Sequence, residues 1–139
     1  MWWVDGEAYC RQQAARAAEA SILSYDPTNV FARILRGEIP ADVLHEDAHC
    51  MAFRDVAPQA PTHFLVIPKR EIASLRDAAP GDAELLGHLL VTAAKVARDL
   101  GVADGGSRIV INDGAGAGQT VFHLHVHVLA GRPLTWPPG

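Results

Sequence analysis

Phe122-His123-Leu124-His125-Val126-His127-Val128-Leu129 is the stretch on which the reading of this chain turns. Imidazole and apolar side chains alternate along it. Period-two alternation belongs to a β-strand, whose successive side chains leave by opposite faces. A strand over 122–129 therefore puts His123, His125 and His127 on one face, each about 6.8 Å from the next. It puts Phe122, Leu124, Val126 and Val128 on the other, where they can pack against a helix. One histidine in such a place is an ordinary polar group. Three in register are not, because buried imidazoles need partners that apolar residues would not need.

Two chemistries use several imidazoles on one face. One is a metal site, since neutral imidazole is a common zinc ligand. The other is covalent catalysis, in which one imidazole attacks phosphorus and others move protons. A hydrolytic zinc site wants carboxylates behind its ligands and often a glutamate base. Within ten residues of the triplet the only acid is Asp113. What precedes the triplet is Gly114-Ala115-Gly116-Ala117-Gly118-Gln119-Thr120. Alternating glycines let backbone N–H groups approach an anion, so this segment reads as a phosphate cradle. The spacing is not G-x-G-x-x-G and a strand follows, which rejects a dinucleotide fingerprint. The neighbours favour phosphorus chemistry without a metal or other cofactor.

Outward from this centre the chain reads as a mixture of strands and helices. Asn29 can cap a short helix carrying Phe31, Ile34 and Leu35, and Gly37 can stop it. Val43–Glu46 and Cys50–Arg54 read as a hairpin, His63–Ile67 and Arg108–Asn112 as further strands. Pro80-Gly81-Asp82 announces a long helix. Its apolar residues Leu86, Leu89, Leu90, Ala93, Val96, Ala97 and Leu100 recur at helical spacing, and Gly101 closes it. No βαβ rhythm is present, which predicts an α+β fold with a mostly antiparallel sheet. His45, His49 and His88 read as surface or structural residues.

The 139 residues, 49% of them apolar and 20% charged, fit one globular domain. A chain this long buries about 70% of its extended surface, enough for a core without staples. A net charge of −4 argues against a broad phosphate-binding face and hence against nucleic acid as a partner. No window of about 18 apolar residues is available to span a membrane. Cys10 and Cys50 form no C-x-x-C, which points to a reducing compartment and a cytoplasmic protein. Two lysines against ten arginines, with many alanines, suggest a GC-rich bacterial genome.

Residues 1–23 differ from the rest. Six alanines fall between Ala8 and Ala20, so a helix over about 6–22 is expected. Asp5, Glu7 and Glu19 make it a poor transit peptide, and it lacks an apolar run for a secretory signal. It reads as an N-terminal extension: an extra helix, a targeting segment of unusual composition, or residues outside the functional unit. The domain proper is expected over 24–139.

His123-Leu-His125-Val-His127-Val-Leu129 resembles the signature of the histidine triad (HIT) family, His-φ-His-φ-His-φ-φ with φ apolar. DPTNVFARILRGEIPA, DVAPQAPTHFLVIPK, GQTVFHLHVHVLAGR and the terminal WPPG resemble its Hint branch, from about Tyr25 to Gly139. The resemblance implies a two-fold homodimer with a sheet continuous across the axis. It implies a purine nucleoside phosphoramidase, active also on aminoacyl adenylates. His125 would be the nucleophile, forming a nucleotidyl-histidine. His127 would sit by the phosphate and pass the proton, His123 would orient the nucleophile, and His63 would be a fourth active-site histidine. Asp55 would bond the ribose hydroxyls, with Asn112 beside phosphate and ribose. Gly118, Gln119, Thr120 and Val121 would form the loop over the phosphate. Phe31 and Val56 would wall the base, and Trp136 would lie near the leaving group, reaching it from the partner subunit. Two other readings stand beside it: a dinucleoside polyphosphate hydrolase of the Fhit type, against which the WPPG tail weighs, and a nucleotide-binding regulatory protein with incidental hydrolysis.

Overall fold

A computed structural model of the chain describes residues 7, 8, 10–12 and 25–139. Five strands form one sheet: β1 (Val43–Glu46), β2 (Cys50–Arg54), β3 (Thr62–Pro68), β4 (Ser107–Val110) and β5 (Val126–Ala130). Their order is β1-β2-β3-β5-β4, and every neighbouring pair is antiparallel. The expected α+β class and antiparallel sheet are what the structure has. The five described residues of the N-terminal stretch are helical. The rest of the helix expected there lies outside the described residues.

A long helix, α2 (Ala83–Asp99), covers one face of the sheet, and a short one, α1 (Val30–Leu35), lies on the other. On α2, Leu89, Ala93, Val96 and Ala97 are three, four or one residue apart and therefore share a face. They are buried against Cys50, Ala52, Phe64, Val66, Leu124, Val126 and Val128. Leu90, expected in the same row, is 47% exposed instead, since it falls beyond the edge of that stripe. The opposite pleat carries Met51, Phe53, Leu65 and Ile67, which meet Phe31 of α1. Asn29 caps α1 as expected, its side-chain oxygen accepting the Ala32 N–H at 2.9 Å. Gly37, at φ +75°, carries the chain out of the helix.

One expectation about the deciding stretch is corrected. The strand runs over Val126–Ala130 and not over 122–129. Both ladders give out at its start: β3 pairs as far as Val66↔Val126 and β4 as far as Val110↔His127. Upstream, the Leu124 N–H turns aside to the Ile72 carbonyl at 2.7 Å. The alternation nevertheless persists, with Leu124 buried beside Val126 and Val128 under α2. Phe122 escapes it and is 43% exposed. Similarly β4 covers Ser107–Val110 and stops short of Asn112, which is left to line a cleft.

Candidate active site

The register of the sheet builds the floor of the site. Phe53 stands opposite Leu65, and Leu65 opposite His127, so these three form a row on the α1 face. Over that row opens a cleft of about 500 Å³. Phe31, Val56, Asp55, Asn112, Gly118, Thr120, Val121, His125 and His127 all line it. Val30, Ile34, Ile39, Pro40, Ala41, Arg54, Phe53 and Leu65 complete the wall. Most of the lining is apolar and the polar groups converge at one end, the usual make-up of a small-molecule site. Val56 is 99% exposed and stands at the rim, with no part in the core.

The four histidines are wired in two chains, and the partners settle where the protons sit. A backbone carbonyl only accepts, so an imidazole nitrogen facing one must carry hydrogen. His125 Nδ1 donates to the His123 carbonyl at 2.7 Å. That leaves His125 Nε2 as the free lone pair of a neutral ring. His123 Nε2 donates to the Pro68 carbonyl at 2.7 Å, so its Nδ1 accepts from the Tyr25 hydroxyl at 2.6 Å. Asn29 Nδ2 in turn donates to Tyr25 at 3.0 Å. His123 is fully buried, and its ring is fixed from both sides.

The second chain starts at a backbone amide. The Gln59 N–H donates to His63 Nδ1 at 3.0 Å, which puts the His63 proton on Nε2. His63 Nε2 meets His127 Nδ1 at 2.9 Å, with Asp55 Oδ2 at 3.4 Å. His127 Nδ1 therefore accepts, and Nε2 is the nitrogen left to carry a proton. The rings of His125 and His127 lie 4.9 Å apart, and Phe31 stands edge-on to His125 at 4.9 Å.

Burial favours the uncharged form of the His123, His125 and His127 rings. It lowers the His125 pKa below the ordinary histidine value, against the opposing pull of the His123 carbonyl and the Asp55 carboxylate. His123 is lowered by burial and by its neighbour His125. His127 is pushed down to about 4 by burial and by the positive charge that His125 and His63 would add. Neutral imidazoles at neutral pH supply a nucleophilic lone pair without prior removal of a proton.

Two sequence expectations change. The glycine loop is less open as an anion cradle than its composition suggests. The N–H groups of Ala117, Gly118 and Gln119 close the loop's own turns, and that of Gly114 goes to Gln119 Oε1 at 2.9 Å. Gln119 is 3% exposed and does not line the cleft. Its amide accepts from Ser74 and Gly114 and donates to the Ala73 and Val121 carbonyls, holding the loop from beneath. Gly114, at φ +95°, takes a backbone conformation that residues with a side chain rarely adopt, and a Cβ there would displace the Arg76 guanidinium. Trp136 is 83% exposed and lies outside the chain's own cleft. Arg108 of β4 donates to the Leu134 and Thr135 carbonyls and holds the tail there.

The carboxylate that the neighbourhood of the triplet lacks comes from the end of β2. Donor atoms of Asp55, His63 and His127 all lie within 4.8 Å of one another, so this trio is also the part of the cleft that could hold a metal ion. Tyr25 and Gln59 are participants that sequence reasoning missed. Gln59 falls inside a quoted stretch but acts on His63 through its backbone amide, which no residue type announces, and Tyr25 acts through one hydroxyl on a ring 98 residues away.

Comparison with known proteins converges on one family. A family model described as HIT domain matches residues 36–134. An uncharacterized HIT-like protein of Synechocystis is 57% identical over 110 residues, 79% of this chain and 96% of that protein. Among solved structures, a HIT family hydrolase from Legionella pneumophila is similar at TM-score 0.79 and 49% identity, over 81% of this chain and 100% of that one. A HIT family hydrolase from Clostridium thermocellum follows at TM-score 0.76 and 42% identity, over 78% and 94%.

Proposed function

The chain belongs to the HIT family, and within it we propose a hydrolase of the Hint type that cleaves the P–N bond of purine nucleoside 5′-phosphoramidates. One observation carries this reading. The His123 carbonyl pins the proton of His125 on Nδ1 and leaves Nε2 bare in the cleft beside His127. In the proposed reaction His125 Nε2 attacks phosphorus and the P–N bond breaks. An anionic phosphate beside His127 raises the proton affinity of that ring, opposing the burial that lowers it. His127 takes up a proton on Nδ1 as His63 reverses its tautomer to accept the hydrogen bond at Nε2, and the His127 Nε2–H passes to the departing amine. Water then attacks the nucleotidyl-His125, and its proton returns to His127, releasing the nucleoside monophosphate. Aminoacyl adenylates fit the same steps with an oxygen leaving group.

The remaining roles follow position. His123 is a positioning residue, acting through its carbonyl on His125. His63 holds His127 in one tautomer. Asp55 and Asn112 would bond ribose, Gly118, Thr120 and Val121 would border the phosphate, and Phe31 and Val56 would flank the base. Gln119 supports the loop through its side chain. β4 is an edge strand with Ile109 exposed, and α2 leaves Leu90 and Val91 exposed. These are apolar surfaces on which a two-fold dimer would form, bringing Trp136 to the partner's cleft.

The test is a substrate pair. An adenosine 5′-phosphoramidate of a fluorescent amine should be cleaved to AMP with a kcat/KM well above that for diadenosine polyphosphates. Preference for the polyphosphate would replace the Hint-type reading with the Fhit-type one.

A further inference from the structure

A second cluster of ligating side chains lies on the α2 face of the sheet, away from the cleft. His45 of β1 stands opposite Ala52, which is buried beneath α2, so His45 shares that face. Asp47 sits in the β1–β2 turn, Cys50 opens β2, and His88 comes from α2. No two of the four are neighbours in sequence, and no motif announces them.

Asp47 organises the group. Its Oδ1 accepts the backbone N–H groups of His49 and Cys50 at 2.7 and 2.9 Å, which fixes the carboxylate in the turn. Its Oδ2 is then aimed at three side chains. His45 Nε2 lies at 2.9 Å, His88 Nε2 at 2.8 Å and Cys50 Sγ at 3.4 Å. Donor atoms of His45, Asp47 and Cys50 fall within 4.8 Å of one another.

We propose that His45, Asp47, Cys50 and His88 form a binding site for a borderline divalent transition-metal ion, with Zn²⁺ the best fit. Two imidazole nitrogens, one carboxylate and one thiol make a mixed N, O, S set of four, which suits tetrahedral Zn²⁺ and not the all-oxygen shells of Mg²⁺ or Ca²⁺. Bonds of about 2.0–2.3 Å place tetrahedral ligands roughly 3.3–3.7 Å apart. The present spacings to Asp47 Oδ2 are 2.8–3.4 Å. A widening of about half an ångström around Asp47 reaches the tetrahedral range, and His88, which stands outside the 4.8 Å group, must also swing toward His45 and Cys50, a movement that the partly exposed side chains of the two histidines allow.

The proton balance is simple. Without the ion, two N–H groups and one S–H converge on a single oxygen. With it, each neutral imidazole exchanges its Nε2 proton for one on Nδ1 through solvent and turns the freed Nε2 lone pair inward, and the thiol releases one proton to solvent. Aspartate, thiolate and a divalent ion then sum to zero charge at the edge of the core. Outer contacts needed to hold the ligands are already present: Asp47 through its two backbone partners, and Cys50 through Thr92 Oγ1 at 3.7 Å. A cleft of about 480 Å³ adjoins the cluster at His88. The ion would tie the hairpin to α2.

The experiment is a Co²⁺ titration of the full-length chain carrying Cys10→Ser and His63→Asn/His127→Asn. These changes remove the exposed thiol and the cleft's own donors. One equivalent of Co²⁺ should give the visible bands of a tetrahedral ion together with the ultraviolet thiolate-to-cobalt band. Adding His45→Gln or His88→Gln should weaken binding by at least about tenfold, the lower end of what misplacing a ligand costs. Adding Cys50→Ser should abolish the thiolate band. Both histidines are partly exposed, so their variants remain folded even if the buried Cys50→Ser variant does not. A titration without the thiolate band, or one indifferent to His45 and His88, would show that the cluster is only a hydrogen-bonded clamp.

Discussion

The cleft cluster and the hairpin cluster sit on opposite faces of one sheet, and both gather imidazoles around a carboxylate. They differ in how the chain supplies them. Three of the site's histidines lie within five residues, His123 to His127, and alternation along extended chain brings them together. In the hairpin cluster, Asp47 and His88 are 41 residues apart and meet only because α2 packs on the hairpin. They differ also in what the carboxylate touches. Asp47 Oδ2 is shared among three side chains, whereas Asp55 stands 3.4 Å from one nitrogen of His63. Donors around a shared carboxylate suit an ion. Rings held by directional partners that leave only the Nε2 of His125 bare suit a reaction in which one lone pair must stay free.

The largest effect expected from breaking this division is at His125. His125→Ala should reduce phosphoramidate turnover by at least about 10⁴-fold, the scale seen when a covalent nucleophile is lost. AMP should still bind, because the apolar wall is intact. Binding measured by calorimetry alongside single-turnover rates separates the two. The α2 face should respond in stability and not in chemistry. Leu89 is 1% exposed in the core under α2, and Leu89→Ala should cost about 2–5 kcal/mol in urea unfolding. At low temperature its turnover should be unchanged. A loss of rate without a loss of stability would mean that the two faces are coupled.

His127 sharpens the comparison from the cleft side. Its replacement by Asn should lower kcat by about 10²-fold or more, the usual contribution of a positioned proton donor. The same ring predicts a pH effect on stability. Its folded pKa is about 4, below the ordinary value near 6.5. Between those values the unfolded chain binds the proton and the folded chain does not. Folding stability should therefore be full above pH 6.5 and fall as pH drops toward 4. Melting temperature followed over that range should show the fall, and the His127→Asn variant should show less of it.

Much of the fold was legible because its signals are local. The period-two run fixed which face each histidine takes. The 3.6-residue spacing of Leu89, Ala93, Val96 and Ala97 fixed α2 and the stripe it buries. The upstream limit of β5 was not legible, since alternation continues through His123–His125 in chain that is extended but has no ladder partner. Its backbone turns to Ile72, a contact that no local pattern encodes. The same limit applies to the site. Imidazoles adjacent in sequence could be grouped by inspection, but Tyr25 reaches His123 only through tertiary structure, and Gln59 reaches His63 through a backbone amide that no residue type announces. His45 and His88, read as surface residues, acquire their meaning from Asp47 and Cys50 between them.

The account rests on His125 Nε2 as the atom that bonds phosphorus. Rapid acid-free quenching of the enzyme with an adenosine 5′-phosphoramidate, followed by peptide mass spectrometry, reads that bond directly. An adenylyl group on His125, absent from the His125→Ala variant, is the predicted result. Turnover with no adduct under any quench, or an adduct on His127 or His63, would contradict it.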